Sequence, residues 1–519
     1  MGTEPAWGAI KGDAVGLVSL YDFENNAIRQ LAAGLRRAGR RVVEVYFKDW
    51  RNNHLDPPSA LELDQLISLL RRHNVGLIGV SLRASAYEQV ASQVCAHLRS
   101  QLGVPLVLGG WHVTVRPDDC LPFADALCLG EADSSFPAFV ARFFEGGGHL
   151  EGVLGAPGFW LNGPDGVVHK GDQPPLVPDL DDVPWRDYDN TDKWVIFGEA
   201  PVQGDPMAGD PLYQVMCSVG CIQKCSFCHN SFETGAEGAR LRTRSVDSVL
   251  AELKARRAAN PAICRVRFDD EIFGLDKRWL REFAERYPVE VGLPFDLLTE
   301  PTVVSDEYVD LLQKAGARVV HMGIQSTEAV NRDQLNRRAN RDQTQAAVQR
   351  LGSRGMRIRY LVMVDIPDVT AEQKRELFQF LQSVPRPFDV YLFSLTWFPG
   401  TKMVEDMLQS GALMPHQVEG RATKTFHQYR ADLTWPRSPE DRFWLALMVL
   451  QASGMVPRRM LSSLAQRGPG DRQPKLLVNA ANAATLYKTA RTAASMVRNG
   501  EMTATLVRRW WSPGRMVTM

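Results

Sequence analysis

The stretch Tyr213-Gln-Val-Met-Cys217-Ser-Val-Gly-Cys221-Ile-Gln-Lys-Cys225-Ser-Phe-Cys228 runs from a short apolar segment with strand character into a loop. That loop carries four of the eight cysteines in a chain of 519 residues. What four clustered thiols do depends on the compartment. The N-terminal sequence MGTEPAWGAIKGDAVG has neither a basic n-region nor an apolar h-region, so export is not expected. No apolar run reaches the roughly 18 residues of a membrane span, and a cytoplasmic location is expected. In a reducing compartment such a cluster reads as a metal site, not a disulfide framework. Cys95, Cys120, Cys128 and Cys264 lie among apolar neighbours and read as small buried hydrophobes. Cys221, Cys225 and Cys228 have C-x3-C-x2-C spacing. Three thiolates suit a cubane that leaves one iron open, and a zinc site completed by Cys217 or His229 is the competing reading.

Outward from the loop the sequence alternates apolar runs with helical periods. After it come ICRVRFDD, VGLPFDLL, RVVHMGIQ, RIRYLVMVD and DVYLFSLTWF, each bordered by helical sequence. About six β/α units over residues 211–403 predict a parallel sheet that curves as a partial barrel. Before the loop, AVGLVSLY, RVVEVYF, VGLIGVSL, VPLVLGG and DALCLG alternate with helices over residues 1–145. Continuous apolar strands in βα order predict a doubly wound, Rossmann-like sheet that binds ligands beyond its carboxyl strand ends. Residues 146–210, rich in Gly, Pro and Asp, read as a connector with one hairpin, and 404–519 as a helical region. The chain as a whole is therefore expected to be α/β. Its formal net charge of zero gives no whole-chain attraction for nucleic acid, and none is expected as a partner.

The C-x3-C-x-aromatic-C motif after the first barrel strand resembles the radical S-adenosylmethionine (SAM) family, and the resemblance extends from Gln214 to about Thr401. It implies that Cys221, Cys225 and Cys228 ligate a [4Fe–4S] cluster whose open iron binds the amino and carboxylate groups of SAM. In that family one electron from an external reductant then splits the cofactor's C–S bond and releases a 5′-deoxyadenosyl radical. Phe227 precedes the last cysteine as the family's aromatic. RFDDEIF (267–273) is similar to an acidic strand end, which implies that Asp270 meets the methionine ammonium; helix capping is the competing role. HMGIQS (321–326) resembles the strand that carries a glutamate-serine pair near the ribose, here with Gln325 and Ser326. Asp365 stands where the family's fifth strand often has glycine, and LTWFPGT (395–401) fits the sixth strand and its turn.

LVLGGWHVT and LCLGEADSSF resemble the cobalamin-binding domains of one radical SAM subgroup. The resemblance implies cobalamin contacts at Gly109, Gly110, Gly130 and Glu131, where absent side chains admit the nucleotide tail. It also places Ser81, Leu82 and Arg83 under or beside the corrin ring, and matches DFENNAIRQL (22–31) to the first strand-to-helix loop. The D-x-H-x-x-G loop that supplies an axial histidine is missing. His112 belongs to a GG-x-H element, so base-off cobalamin without a protein histidine on cobalt is expected. The function so implied is methylation of an unactivated carbon on a small-molecule or lipid-like substrate. The alternatives are cyclisation, rearrangement or carbon–carbon coupling without net methyl transfer, and a cluster- and cobalamin-binding regulator. The basic C-terminal tail, with Arg508, Arg509, Trp510 and Trp511 adjacent, reads as a cover over the barrel mouth or a solvated basic face, with peripheral membrane contact as the alternative.

Overall fold

The computed structural model describes residues 12–49, 55–231, 241–422, 437–470 and 473–498. These fall into two compact units, one ending at Ala208 and the other beginning at Gly209.

The N-terminal unit is built on a nine-stranded sheet. β1 (Ala14–Leu20), β2 (Val42–Phe47), β3 (Val75–Ser81), β4 (Leu106–Gly109) and β5 (Ala126–Cys128) are parallel in the order β5-β4-β3-β1-β2. Every residue of β1, β2 and β3 is buried, as their unbroken apolar runs require of strands covered on both faces. Local chemistry starts the covering helices. Asn25 caps helix Asn26–Arg37, and Ser59 with Glu62 forms a capping box on helix Ala60–Arg72.

Residues 146–210 are not merely a connector. β6 (Phe159–Asn162) and β7 (Val168–Lys170) extend the sheet antiparallel beyond β5. β8 (Lys193–Ile196) pairs parallel with β2 at the opposite side, and β9 (Val202–Gln203) closes that edge. A buried ionic network explains why β8 belongs there. Lys193 lies opposite Glu44 in the β2–β8 register, 3.8 Å away, and Lys193 Nζ donates to Asp205 at 3.1 Å. Arg29 donates two hydrogen bonds to the same Asp205, at 2.6 and 3.0 Å, beneath the ring of Tyr46. All four charged side chains are fully buried.

The C-terminal unit holds six parallel strands in sequence order: β10 (Leu212–Val215), β13 (Arg265–Phe268), β14 (Phe295–Thr299), β15 (Ala317–Gln325), β16 (Arg357–Val364) and β17 (Phe388–Ser394). The small ribbon of β11 (Ser218–Val219) and β12 (Arg242–Thr243) stands beside them. Crossover helices cover one face, where Phe268, Phe283, Tyr287 and Phe295 pack ring on ring. Beyond β17 the described chain is helical, at Lys402–Gln409, Pro415–Ala422, Pro439–Ser453, Arg458–Arg467 and Gln473–Arg498. No helix among the described residues is long and apolar enough to cross a membrane. Arg508–Trp511 lie outside the described residues.

Asp205→Ala strips Arg29 and Lys193 of their shared carboxylate, and an uncompensated buried charge costs about 3–5 kcal/mol. Amide hydrogen exchange should show that loss as weakened protection of β2 and β8. Unchanged protection there would mean that the network does not hold β8 to the sheet.

Candidate functional site

All strands of the six-stranded sheet run the same way, so their carboxyl ends share one rim, and the cysteine loop rises from β10 at that rim. Its start is pinned from β13. Asp270 is fully buried and accepts the Cys217 N–H at 3.1 Å and the Ser218 hydroxyl at 2.5 Å. Burial pushes its carboxyl from 3.8 up to about 6, against the pull of those donors. With the folded value raised, the stability it contributes is present below pH 4 and is lost as pH rises through about 6. Cys217 is itself buried beneath the loop, its thiol held well above the ordinary range by burial.

Further along, the loop is tied to the segment that follows β15. Ser226 N–H donates to Leu335 O at 3.1 Å and the Ser226 hydroxyl to Gln334 O at 2.6 Å. Asn336 Nδ2 donates to Lys224 O at 2.7 Å. The Arg337 side chain, only 9% exposed, directs Nη1 at Cys225 Sγ (3.5 Å) and Nη2 at Gly323 O (2.9 Å). Burial raises the thiols of Cys221 and Cys225, with Arg337 opposing it at Cys225, and pushes Cys228 up to about 12. Iron binding must therefore displace protons. Among the described residues no three Cys, His, Asp or Glu side chains converge as ligands of one ion. Thiolates of a multi-iron cluster each reach a different iron, so they need not converge.

Gln325 sits at the end of β15 with a left-handed φ of 55°, costly for a non-glycine residue. Its side chain folds back over Gly323. A Cβ added to Gly323 would lie 2.9 Å from Gln325 Nε2 and 3.6 Å from Arg337 Nη2. Gln325, Arg337 and Cys225 are thus brought to one place. Ser326 is half-buried, and its backbone is committed to Asn331. Asp365 also has a left-handed φ, 58°, and is gripped by Arg437 and Ser394. A gripped aspartate can hold a conformation for which glycine is the usual choice.

In the N-terminal unit the strand order reverses between β1 and β3, where doubly wound sheets open a ligand crevice. Asn25 Nδ2 bridges Ser19 and Ser81 across that point, at 3.0 Å to each hydroxyl. The carboxyl ends of β4 and β5 present Gly110 and Gly130 exposed, with positive φ of 113° and 69°. His112 is buried, with Nδ1 2.8 Å from the Ser85 hydroxyl, and burial lowers it to about 4, so its ring is neutral near pH 7.

Residues 12–140 match the B12 binding domain and residues 215–381 the radical SAM superfamily. The chain thus carries a B12-binding domain followed by a radical SAM domain. Cytidylyl-2-hydroxyethylphosphonate methyltransferase of Streptomyces wedmorensis is 23% identical over 404 residues, 70% of this chain and 72% of that one. The fold resembles the radical SAM methyltransferase TsrM of Kitasatospora setae with cobalamin and cluster bound (TM-score 0.59, 17% identity, 91% of this chain and 99% of that). It also resembles the cobalamin-dependent SAM radical enzyme OxsB (TM-score 0.61, 14% identity, 97% and 74%). The cofactors are a [4Fe–4S] cluster, SAM and cobalamin.

The residues at the rim of the radical SAM domain fit polar cofactors. Gln325 Oε1, Thr327 Oγ1 and Arg337 Nε are buried without a hydrogen-bond partner, which is costly unless a ligand completes them. The B12-binding domain fits through its bare strand ends at Gly110 and Gly130, with Glu131 half-buried beside them.

Several of the expected contact residues also hold positions in the protein's own structure. Asp270 is buried and accepts from Cys217 and Ser218. Phe227 packs on the apolar cluster of Val330, Leu335, Met363 and Trp397. Leu82 is fully buried in the core of the N-terminal sheet, and Ser81 accepts from Asn25. Of that trio Arg83 alone is exposed, at 60%, and it pairs with Asp22. Gly110 is required by the protein's own backbone, because a Cβ there would stand 2.6 Å from Leu82 O. Sequence reasoning missed Arg337 and also Glu300, buried at the end of β14 and accepting from Gln223 Nε2 at 3.1 Å. Neither lies in the cysteine motif, and no periodicity marks a single polar residue in a loop.

Asp270→Ala leaves the Cys217 N–H and the Ser218 hydroxyl buried without an acceptor, at about 1–3 kcal/mol each. Iron content after anaerobic reconstitution should fall well below wild type, whereas Asp269→Ala should keep it. Full iron loading of Asp270→Ala would show that β13 does not anchor the loop.

Proposed function

We propose that the chain is a methyltransferase that adds a methyl group from SAM to an unactivated carbon of a small-molecule substrate, in the cytoplasm and with an external one-electron reductant. The observation that carries this reading is the likeness, over 70% of the chain, to a methyltransferase whose named substrate is a cytidylyl phosphonate. The TsrM fold, solved with tryptophan as substrate, supports it from a second direction. The likeness to OxsB, named only as a cobalamin-dependent radical enzyme, favours the second reading, radical chemistry without net methyl transfer.

When bound, the cluster with SAM supplies a carbon-centred radical and the cobalamin supplies methyl-group chemistry. The residues of this chain hold and orient. In our reading Cys221, Cys225 and Cys228 ligate the cluster, and Asp270 with Ser226 fixes the loop that carries them. Gln325 and Ser326, at the end of β15, offer neutral hydrogen bonds to SAM. Gly109, Gly110, Gly130 and Glu131 form the backbone surface on which cobalamin rests. His112, neutral and bonded to Ser85, shapes that loop and does not reach cobalt. We assign 1–145 with its added strands to cobalamin, 211–403 to the radical SAM chemistry and 404–519 to a helical region of separate role.

The test uses SAM with a fully deuterated methyl group, reconstituted holoprotein, reductant and a panel of candidate small molecules. A product that retains all the methyl deuterium supports the methyltransferase reading. Consumption of SAM with 5′-deoxyadenosine formed and an unlabelled, altered substrate would transfer support to the second reading. Cys225→Ala should give neither result.

A further inference from the structure

Arg337 stands out because it is buried, charged and aimed at sulfur. Its side chain is 9% exposed, its Nη1 lies 3.5 Å from Cys225 Sγ, and its Nη2 donates to Gly323 O at 2.9 Å. The carboxylate nearest it, Glu300 Oε2, is 4.0 Å away and not hydrogen-bonded to it, while Glu300 Oε1 accepts from Gln223 and Thr302. Arg337 Nε has no partner at all. We propose that Arg337 sets the reduction potential of the cluster by donating a charged N–H···S hydrogen bond to the Cys225 thiolate. This inference rests on the reading that Cys225 is a cluster ligand.

Reducing a cysteine-ligated cluster adds one negative charge to it, so a fixed cation beside a ligand sulfur favours the reduced state and raises the potential. Hydrogen bonds to the sulfurs and exclusion of solvent are the levers by which a protein tunes such centres. Burial keeps the guanidinium's field from being screened, and an arginine stays charged at any working pH. Among the described residues Cys221 Sγ, by contrast, accepts only the Gln223 backbone N–H, at 3.4 Å. The geometry is also held on two sides: the Gly323 carbonyl fixes one arm of the fork, and the Asn336–Lys224 bond fixes the adjacent loop. The unpartnered Nε is a buried donor whose cost is recovered by an acceptor that arrives with the cluster.

Arg337→Met and Arg337→Lys are compared with wild type as reconstituted full-length protein without SAM, by redox titration followed by electron paramagnetic resonance. Arg337→Met should have about tenfold less reduced cluster at a fixed potential, which for a one-electron couple is a midpoint about 59 mV more negative. Arg337→Lys, which retains charge but not the fork, should fall between. Equal midpoints in all three proteins overturn the proposal. Equal midpoints together with weakened SAM binding in Arg337→Met assign the guanidinium to the cofactor carboxylate instead, and overturn it equally. If Arg337→Met loses iron, the lysine variant alone decides, and a wild-type midpoint there overturns the proposal that the guanidinium N–H···S bond sets the potential. Cys225→Ala is reconstituted in parallel. A full cluster in that variant refutes the ligand assignment on which the inference rests, which is a different failure from an unchanged midpoint.

Discussion

Parallel pairing is the constraint on which both units depend. A strand that pairs parallel with its neighbour must return through a crossover, so all carboxyl ends gather on one rim and all amino ends on the other. The rim of the six-stranded sheet thereby receives the cysteine loop after β10, Asp270 after β13, Glu300 after β14, Gln325 at the end of β15 and Asp365 after β16. No one of these residues is near the others in sequence. The sheet brings them together, and crossover helices cover its other face with the Phe268–Phe295 aromatic core.

Within that rim the loop is held by polar contacts rather than by packing. Asp270 fixes its beginning and the 334–337 segment fixes its far side, so the three cysteines are presented by backbone anchors on two different strands' connections. The strained residues lie at the same rim. Gln325 and Asp365 occupy left-handed backbone conformations, and Gln325 carries a buried oxygen with no partner. Strain and unmet hydrogen bonding together mark a surface completed by a ligand.

The sequence made part of this legible and left part of it hidden, for physical reasons. Continuous apolar runs identified β1 to β3 as strands buried on both faces, whereas barrel strands such as β13 and β16 alternate buried with more exposed positions and were legible as β/α units. The cysteine spacing identified the loop, because a cluster constrains spacing strongly. The joining of β8 to β2 was not legible, since its cause is the Glu44–Lys193–Asp205–Arg29 network, whose members are scattered over 177 positions of chain. Asp270 was found as an acid at a strand end, but its partner Ser218 is set by the turn into β11 and has no sequence signal. Leu82 was placed beside a ligand by motif position alone, whereas its apolar side chain goes to the core. Arg337 was missed because an arginine beside Arg338 in a loop resembles any solvated one until the fold buries it.

The central claim is that Cys221, Cys225 and Cys228 hold a cluster with one iron open to SAM. Electron-nuclear double resonance on the reduced, reconstituted protein tests it directly, with SAM isotopically labelled at the nitrogen and carboxylate of its methionine part. The account predicts hyperfine coupling from both labels to the cluster, absent before SAM is added. A cluster spectrum that is unchanged by SAM and shows no coupling to either label would contradict it.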